Sequence, residues 1–228
     1  MDFVSVVTVL GVFVALLGLA TFALDRFTLP SITIRKGPWV DLTHLPNHNP
    51  IRVLHLVVYN APANRLIRWF RRRQFAYGCE IHLTFWKHGE MTPVRGPVHG
   101  RWNATPEPLQ SFLNPESKEV LPAYDISKAL QNRSLSQLMP IEGGYQVAFL
   151  AKEDGQDECY IFNDETYPWE GWRKPGWDLA KGMYLVQVRL TWADRGSRET
   201  WLRLENPNQN IGQFDIELLE RTPEGMKS

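Results

Sequence analysis

Histidine, cysteine and clustered carboxylates are the side chains of this chain that could carry chemistry. All six histidines (His44, His48, His55, His82, His88 and His99) fall between residues 44 and 99. A zinc site legible in sequence would show paired ligands, such as Cys-x-x-Cys followed by a second pair. The near pairs available are His44 with His48 and Cys79 with His82, and strand alternation over Cys79 to Trp86 sends Cys79 and His82 to opposite faces. The histidines are therefore read as structural, and neither a metal nor a cofactor is expected.

Acids gather in Glu153, Asp154, Asp157, Glu158, Asp164 and Glu165. Paired carboxylates can run glycoside hydrolysis or hold calcium. This run, however, lies on a turn and its strand edges and lacks the fixed steps of an EF-hand, so it reads as solvated loop. Neither G-x-S-x-G, Walker A, H-E-x-x-H nor a dinucleotide glycine motif occurs, and no catalytic residue is assigned.

Three further groups bear on binding. Tyr167, Trp169, Trp172 and Trp177 form an aromatic, proline-broken loop; sugars and proline-rich peptides stack on such rings, but the stronger expectation is packing that closes one end of the fold. Arg65, Arg68, Arg71, Arg72 and Arg73 stand beside Trp69 and Phe70 in a segment, Pro62 to Phe75, that suits a helix with Pro62 in its first turn. Such a basic patch is drawn to anionic headgroups, at about 1 kcal/mol per basic residue near the surface; RNA contact is the rival and a solvated face the plain alternative. Over the whole chain 25 basic residues balance 25 acidic ones, which removes the footprint of a general nucleic-acid binder. Cys79 and Cys159 sit at apolar positions of two strands, where an oxidising compartment would pair them across the sheets and a reducing one would leave buried thiols.

The elements that must position these residues divide the chain. Mean hydropathy is −0.30, yet Phe3 to Leu24 carries no charge and makes about 33 Å of helix, enough to span a bilayer. A cleaved signal peptide fits less well, since no basic residue precedes the run. Lys and Arg are absent before it and Arg26, Arg35 and Lys36 follow it, which favours a cytoplasmic domain, with the extracytoplasmic side as the alternative. Thr8, Gly11, Ala15 and Gly18 form a stripe of small side chains on which another membrane helix, or a second copy, can dock.

Residues 25–50 hold four prolines and read as a linker leading into the fold. From 51 to 220 the pattern is one of short strands: 51–59, 79–86, a hairpin of 145–152 and 158–163 turned by Asp154-Gly155, then 183–192, 200–204 and 214–219. A second helix is expected within Asp125 to Leu138, and 221–228 is a tail. Leu179 to Val188 (LAKGMYLVQV) resembles the late-strand signature of immunoglobulin-like and fibronectin-like sandwiches, a turn glycine before a tyrosine and an alternating strand. That resemblance implies a fold class and no activity.

The sequence thus predicts a mainly β protein: an immunoglobulin-like β-sandwich with one or two short helices, preceded by a single N-terminal transmembrane helix. Its expected role is that of a non-enzymatic interaction module or accessory subunit of a membrane complex. The alternative is a membrane-tethered carbohydrate-active or metal-dependent enzyme using the aromatic loop, the acids or the histidines.

Overall fold

A strand with apolar residues at alternate positions has one face to remove from water, and two sheets of such strands remove theirs against each other. The computed structural model describes residues 11–22, 30–43, 48–62, 75–193 and 196–223. In chain order these contain helix α1 (11–22) and strands β1 (Ile32–Lys36), β2 (Val40–Leu42), β3 (Ile51–Asn60), β4 (Ala76–Lys87), β5 (Arg95–His99), β6 (Arg101–Trp102), β7 (Leu109–Leu113) and β8 (Val120–Tyr124). Helix α2 (Ile126–Gln131) follows, and then β9 (Ser134–Leu138), β10 (Tyr145–Glu153), β11 (Cys159–Ile161), β12 (Asp178–Leu179), β13 (Gly182–Trp192), β14 (Gly196–Asn206) and β15 (Asp215–Leu219).

One antiparallel sheet has the order β1-β3-β10-β11-β12, with β2 also on β3 and β6 on β10; the other runs β15-β14-β13-β4-β5, with β9 also on β4. Strands β7 and β8 make a separate hairpin. Leu54, Leu56 and Val58 of β3 and Phe149 of β10 share one buried cluster with Ile81, Leu83 and Phe85 of β4 and Val186 and Val188 of β13. The molecule is therefore mainly β, two antiparallel layers around a common core, with two helices among the described residues.

Strand β3 shows how its sequence produces this. Its even positions Leu54, Leu56 and Val58 face the core between the sheets, while Ile51 and Val53 belong to a second cluster with Ala148, Ala151, Tyr160 and Phe162. Tyr167 and Trp172 pack against that second cluster. What looks in sequence like a slip in period is a strand covered on both faces at its start.

Four expectations change. The linker reading of 25–50 gives way at residues 32–42: β1 pairs along β3 from Ile32↔Asn60 to Lys36↔Leu56, and β2 adds to the same strand. Proline spacing hid these strands, because Ile32 and Ile34 are the sole buried positions of a five-residue element. The helix expected over 125–138 stops early. Asp125 caps α2 by accepting from the amides of Ser127 and Lys128, but 134–138 is strand β9, held on β4 with Leu135 and Leu138 buried. Those leucines lie opposite Cys79 and Ala76, which are both buried although three apart, with Gly78 at φ +56° between them; the same spacing imitates a helix face. The acidic run is not uniformly solvated, since Glu153 and Asp164 are buried. Finally, α1 covers 12 residues, and among the described residues no helix is long and apolar enough to cross a membrane; residues 1–10 and 23–29 lie outside the description. The expected helix of Pro62 to Phe75, with its five arginines, also falls largely outside the described residues.

The chain passes from one sheet to the other at Gly100, between β5 on β4 and β6 on β10. A Cβ there would stand 2.6 Å from Val147 Cγ1 and 2.9 Å from Ile81 Cγ2, so the crossing depends on glycine. Gly100→Ala should lower stability by about 1–3 kcal/mol through overpacking, read as a lower thermal midpoint of the full chain in detergent. Gly143→Ala, where an added Cβ meets nothing within 4 Å, should leave the midpoint unchanged.

Candidate functional site

Burial of Cys79, Ile81, Leu83 and Phe85 inside the sandwich leaves Glu80, His82 and Thr84 of β4 half-buried on the outer face. One edge of β4 is shared: β9 pairs with its first half, to Glu80↔Ser134, and β5 with its second half, from His82↔His99. The register, with Leu83 opposite the buried Val98, puts His99 on the same outer face directly across from His82. A bulge at Gly96 (φ +123°) fits β5 to β4; a Cβ there would lie 2.7 Å from Leu83 O and Thr84 Cα.

Glu80, His82 and His99 thereby form a cluster in which one donor atom of each lies within 4.8 Å of the others. His82 Nε2 stands 3.4 Å from Glu80 Oε2, and the two imidazole centroids are 4.5 Å apart. Nδ1 of His99 is buried without a hydrogen-bond partner. Burial first, then the neighbouring His82 and Arg133, pushes His99 below the usual histidine range, which favours the neutral ring. On the far side of His82, Arg189 of β13 is its cross-strand neighbour.

A polar network fixes the back of the cluster. Asn163 donates from Nδ2 to the His99 carbonyl at 2.8 Å and accepts from the Glu165 amide at Oδ1. Glu165 holds Arg133 at 2.9 Å and Lys174 at 3.0 Å; burial alone would raise its carboxyl, but Lys174 and Arg133 outweigh that and hold it below the ordinary range. Arg101 Nε donates to Asp164 Oδ1 at 2.8 Å, both side chains at most 10% exposed. Despite that partner, burial lifts Asp164 above the usual carboxylate range: desolvation exceeds the pairing. A cavity of about 10 Å³ between His99, Arg133, Asn163 and Asp164 has room for one water.

No family model, curated protein or solved structure matches the chain.

The residues singled out in sequence are placed as follows. Tyr167 packs tilted and Trp172 edge-on against Phe162, at centroid distances of 6.3 and 5.4 Å, and Arg101 lies over the Tyr167 ring. Trp177 is packed on the main core with Lys174 over its face. Trp169 alone of the four is exposed. The loop is mostly a roof over the outer face of the first sheet, with one open ring. Cys79 and Cys159 are free buried thiols, each pushed up to about 12 by burial, which leaves almost no thiolate at neutral pH. His48 Nδ1 stands 3.6 Å from buried Glu153, His55 is buried and His88 exposed; His44 lies outside the described residues. The chain also holds two N-glycosylation sequons: Asn132-Arg-Ser has its asparagine buried, donating to Pro106 O, whereas Asn103 of Asn103-Ala-Thr is exposed.

Sequence reasoning weighed Cys79 against His82 and so missed Glu80 and His99. The i, i+2 spacing of Glu80 and His82 was a usable signal, since those positions share a strand face. His99 had none until the β4–β5 register was known.

The Arg101–Asp164 pair gives a pH-dependent expectation. Arg101→Met leaves a buried carboxylate uncompensated and should cost about 3–5 kcal/mol at pH 7. The raised Asp164 favours the folded state most when protonated, so the defect should shrink as the pH falls towards 5. Arg101→Met with Asp164→Asn should recover much of the loss. Thermal midpoints of the three variants across that pH range check the pattern.

Proposed function

We propose that this chain is a membrane-tethered β-sandwich acting as a non-enzymatic interaction module, or as an accessory subunit of a membrane complex, with its domain on the cytoplasmic side. The observation that carries this reading is the uncharged run from Phe3 to Leu24 together with the state of its described part. Residues 11–22 are helical with every side chain exposed, Val12, Phe13, Leu19 and Phe22 at 56–67%. An apolar helix surface left bare by its own chain calls for a lipid or protein cover, and the length of the run suits a bilayer.

Docking through the helix is supported by the small residues. Gly11, Ala15 and Gly18 lie in α1, and a Cβ added at either glycine would meet nothing within 4 Å; Thr8 is outside the described residues. Arg26, Arg35 and Lys36 after the apolar run, with no Lys or Arg before it, support the cytoplasmic side for the domain. A basic patch at Arg65 to Arg73 would reinforce a cytoplasmic membrane contact.

The finer fold reading, an immunoglobulin-like sandwich, is supported by strand order. Strands β1-β3-β10 follow the A-B-E order and β14-β13-β4-β5 the G-F-C-C′ order of that fold. Strand β11 departs from it, since it takes the D position yet follows β10 in the chain.

Alkaline carbonate extraction of membranes from cells making the full chain tests the tether. The protein should stay in the pellet, and deletion of residues 1–24 should move it to the supernatant. Full extraction of the intact chain would remove the proposal.

A further inference from the structure

We propose that Glu80, His82 and His99 form a binding site for a divalent transition metal, with zinc as its best-suited ion. This goes beyond the tethering role and does not depend on it. Two imidazoles and one carboxylate are the donor set that borderline cations such as Zn²⁺ prefer, whereas Ca²⁺ and Mg²⁺ seek all-oxygen shells.

Geometry favours a metal over an ion pair. His82 Nε2 and Glu80 Oε2 are 3.4 Å apart, too long for a charge-assisted hydrogen bond, which closes to about 2.7–2.9 Å. The separation matches the edge of a tetrahedron with bonds of about 2.0–2.1 Å, which is about 3.3–3.4 Å. His99 supplies the third donor within 4.8 Å of both, and its buried Nδ1 lacks any partner. An unsatisfied buried nitrogen is costly unless something binds the ring or a water reaches it.

The three ligands also stand on a rigid base. Glu80 and His82 alternate with core residues of β4. His99 is held by the β4–β5 register, by Asn163 on its carbonyl and by the adjoining Gly100 amide, which donates to Ile81 O at 3.1 Å. Side-chain exposure of 27% at His82 and 42% at Glu80 leaves a route for the ion and an open position for water or a donor from a partner. Arg189 and Arg133 nearby oppose a cation, and the Glu80 and Glu165 carboxylates offset them.

The test is titration of the full chain, in mild detergent and stripped of metal by chelator, with Zn²⁺ alone against a chromophoric zinc indicator. One equivalent should bind saturably, and Co²⁺ in its place should give the intense visible absorption of a tetrahedral site. H82N and H99N should each weaken binding at least about 100-fold, beyond the 10–100-fold that loss of an outer-shell partner costs. H88N, which alters an exposed histidine away from the cluster, should leave it unchanged. E80Q changes only the exposed rim and keeps the test usable should either histidine variant fail to fold; it too should weaken binding. Absence of saturable binding to the folded chain, or binding that survives E80Q and a folded histidine variant, would overturn the proposal.

Discussion

Everything in the described domain follows from one constraint: a single apolar layer must be closed between two sheets. Residues of β4 at odd numbers from Cys79 to Phe85 are fully buried in that layer, so the even ones have nowhere to go but the outer face. This is what puts Glu80 and His82 side by side. The same layer seats Val98 and so turns His99 outward opposite His82. Immediately afterwards the chain leaves one sheet for the other, and it can do so only because Gly100 lets the backbone touch Val147 and Ile81.

Closing the layer creates an electrostatic problem at its end, and the solution surrounds the histidine cluster. Asp164 and Arg101 are buried together where β6 begins, and burial outweighs the pairing on the carboxyl. Asn163, Glu165, Arg133 and Lys174 then satisfy one another and the His99 backbone. Tyr167 and Trp172 roof the other face of the first sheet. Packing, charge burial and placement of the outer-face ligands are thus one arrangement, since moving β5 disturbs all three. A second buried cation, Lys152, is held without a carboxylate by Asn206 and the Asn208 carbonyl, and burial lowers its basicity. It ties the β10–β11 hairpin to the end of β14.

Much of the fold was legible because period-two alternation is local. Strands β3, β4, β10, β11, β13, β14 and β15, and the Asp154-Gly155 turn with Gly155 at φ +83°, could be read from residue order alone. What escaped was set by partners distant in sequence. Strands β1, β2 and β9 are short and exist because β3 and β4 offer them an edge. Leu135 and Leu138 looked helical because they face Cys79 and Ala76, which are buried three apart on either side of Gly78 at φ +56°. Asp164 and Glu153 looked like solvated loop acids, and Arg101 and Arg173 draw them inward. The candidate site was half legible: Glu80 and His82 share a strand face by spacing, but His99 joins them only through a cross-strand register that no local pattern encodes.

That register is the point on which the account stands. Backbone nuclear Overhauser contacts between β4 and β5, measured on the isotope-labelled full chain in detergent, report it directly. Gly100 donates to Ile81 O, so His82 and His99 form the adjoining non-hydrogen-bonded pair, and their Hα protons should give a direct Hα–Hα contact. An Hα–Hα contact of His82 with Val98 or with Gly100 in place of the one with His99 would contradict it, because a slip of one residue would turn His99 into the core and dissolve the cluster.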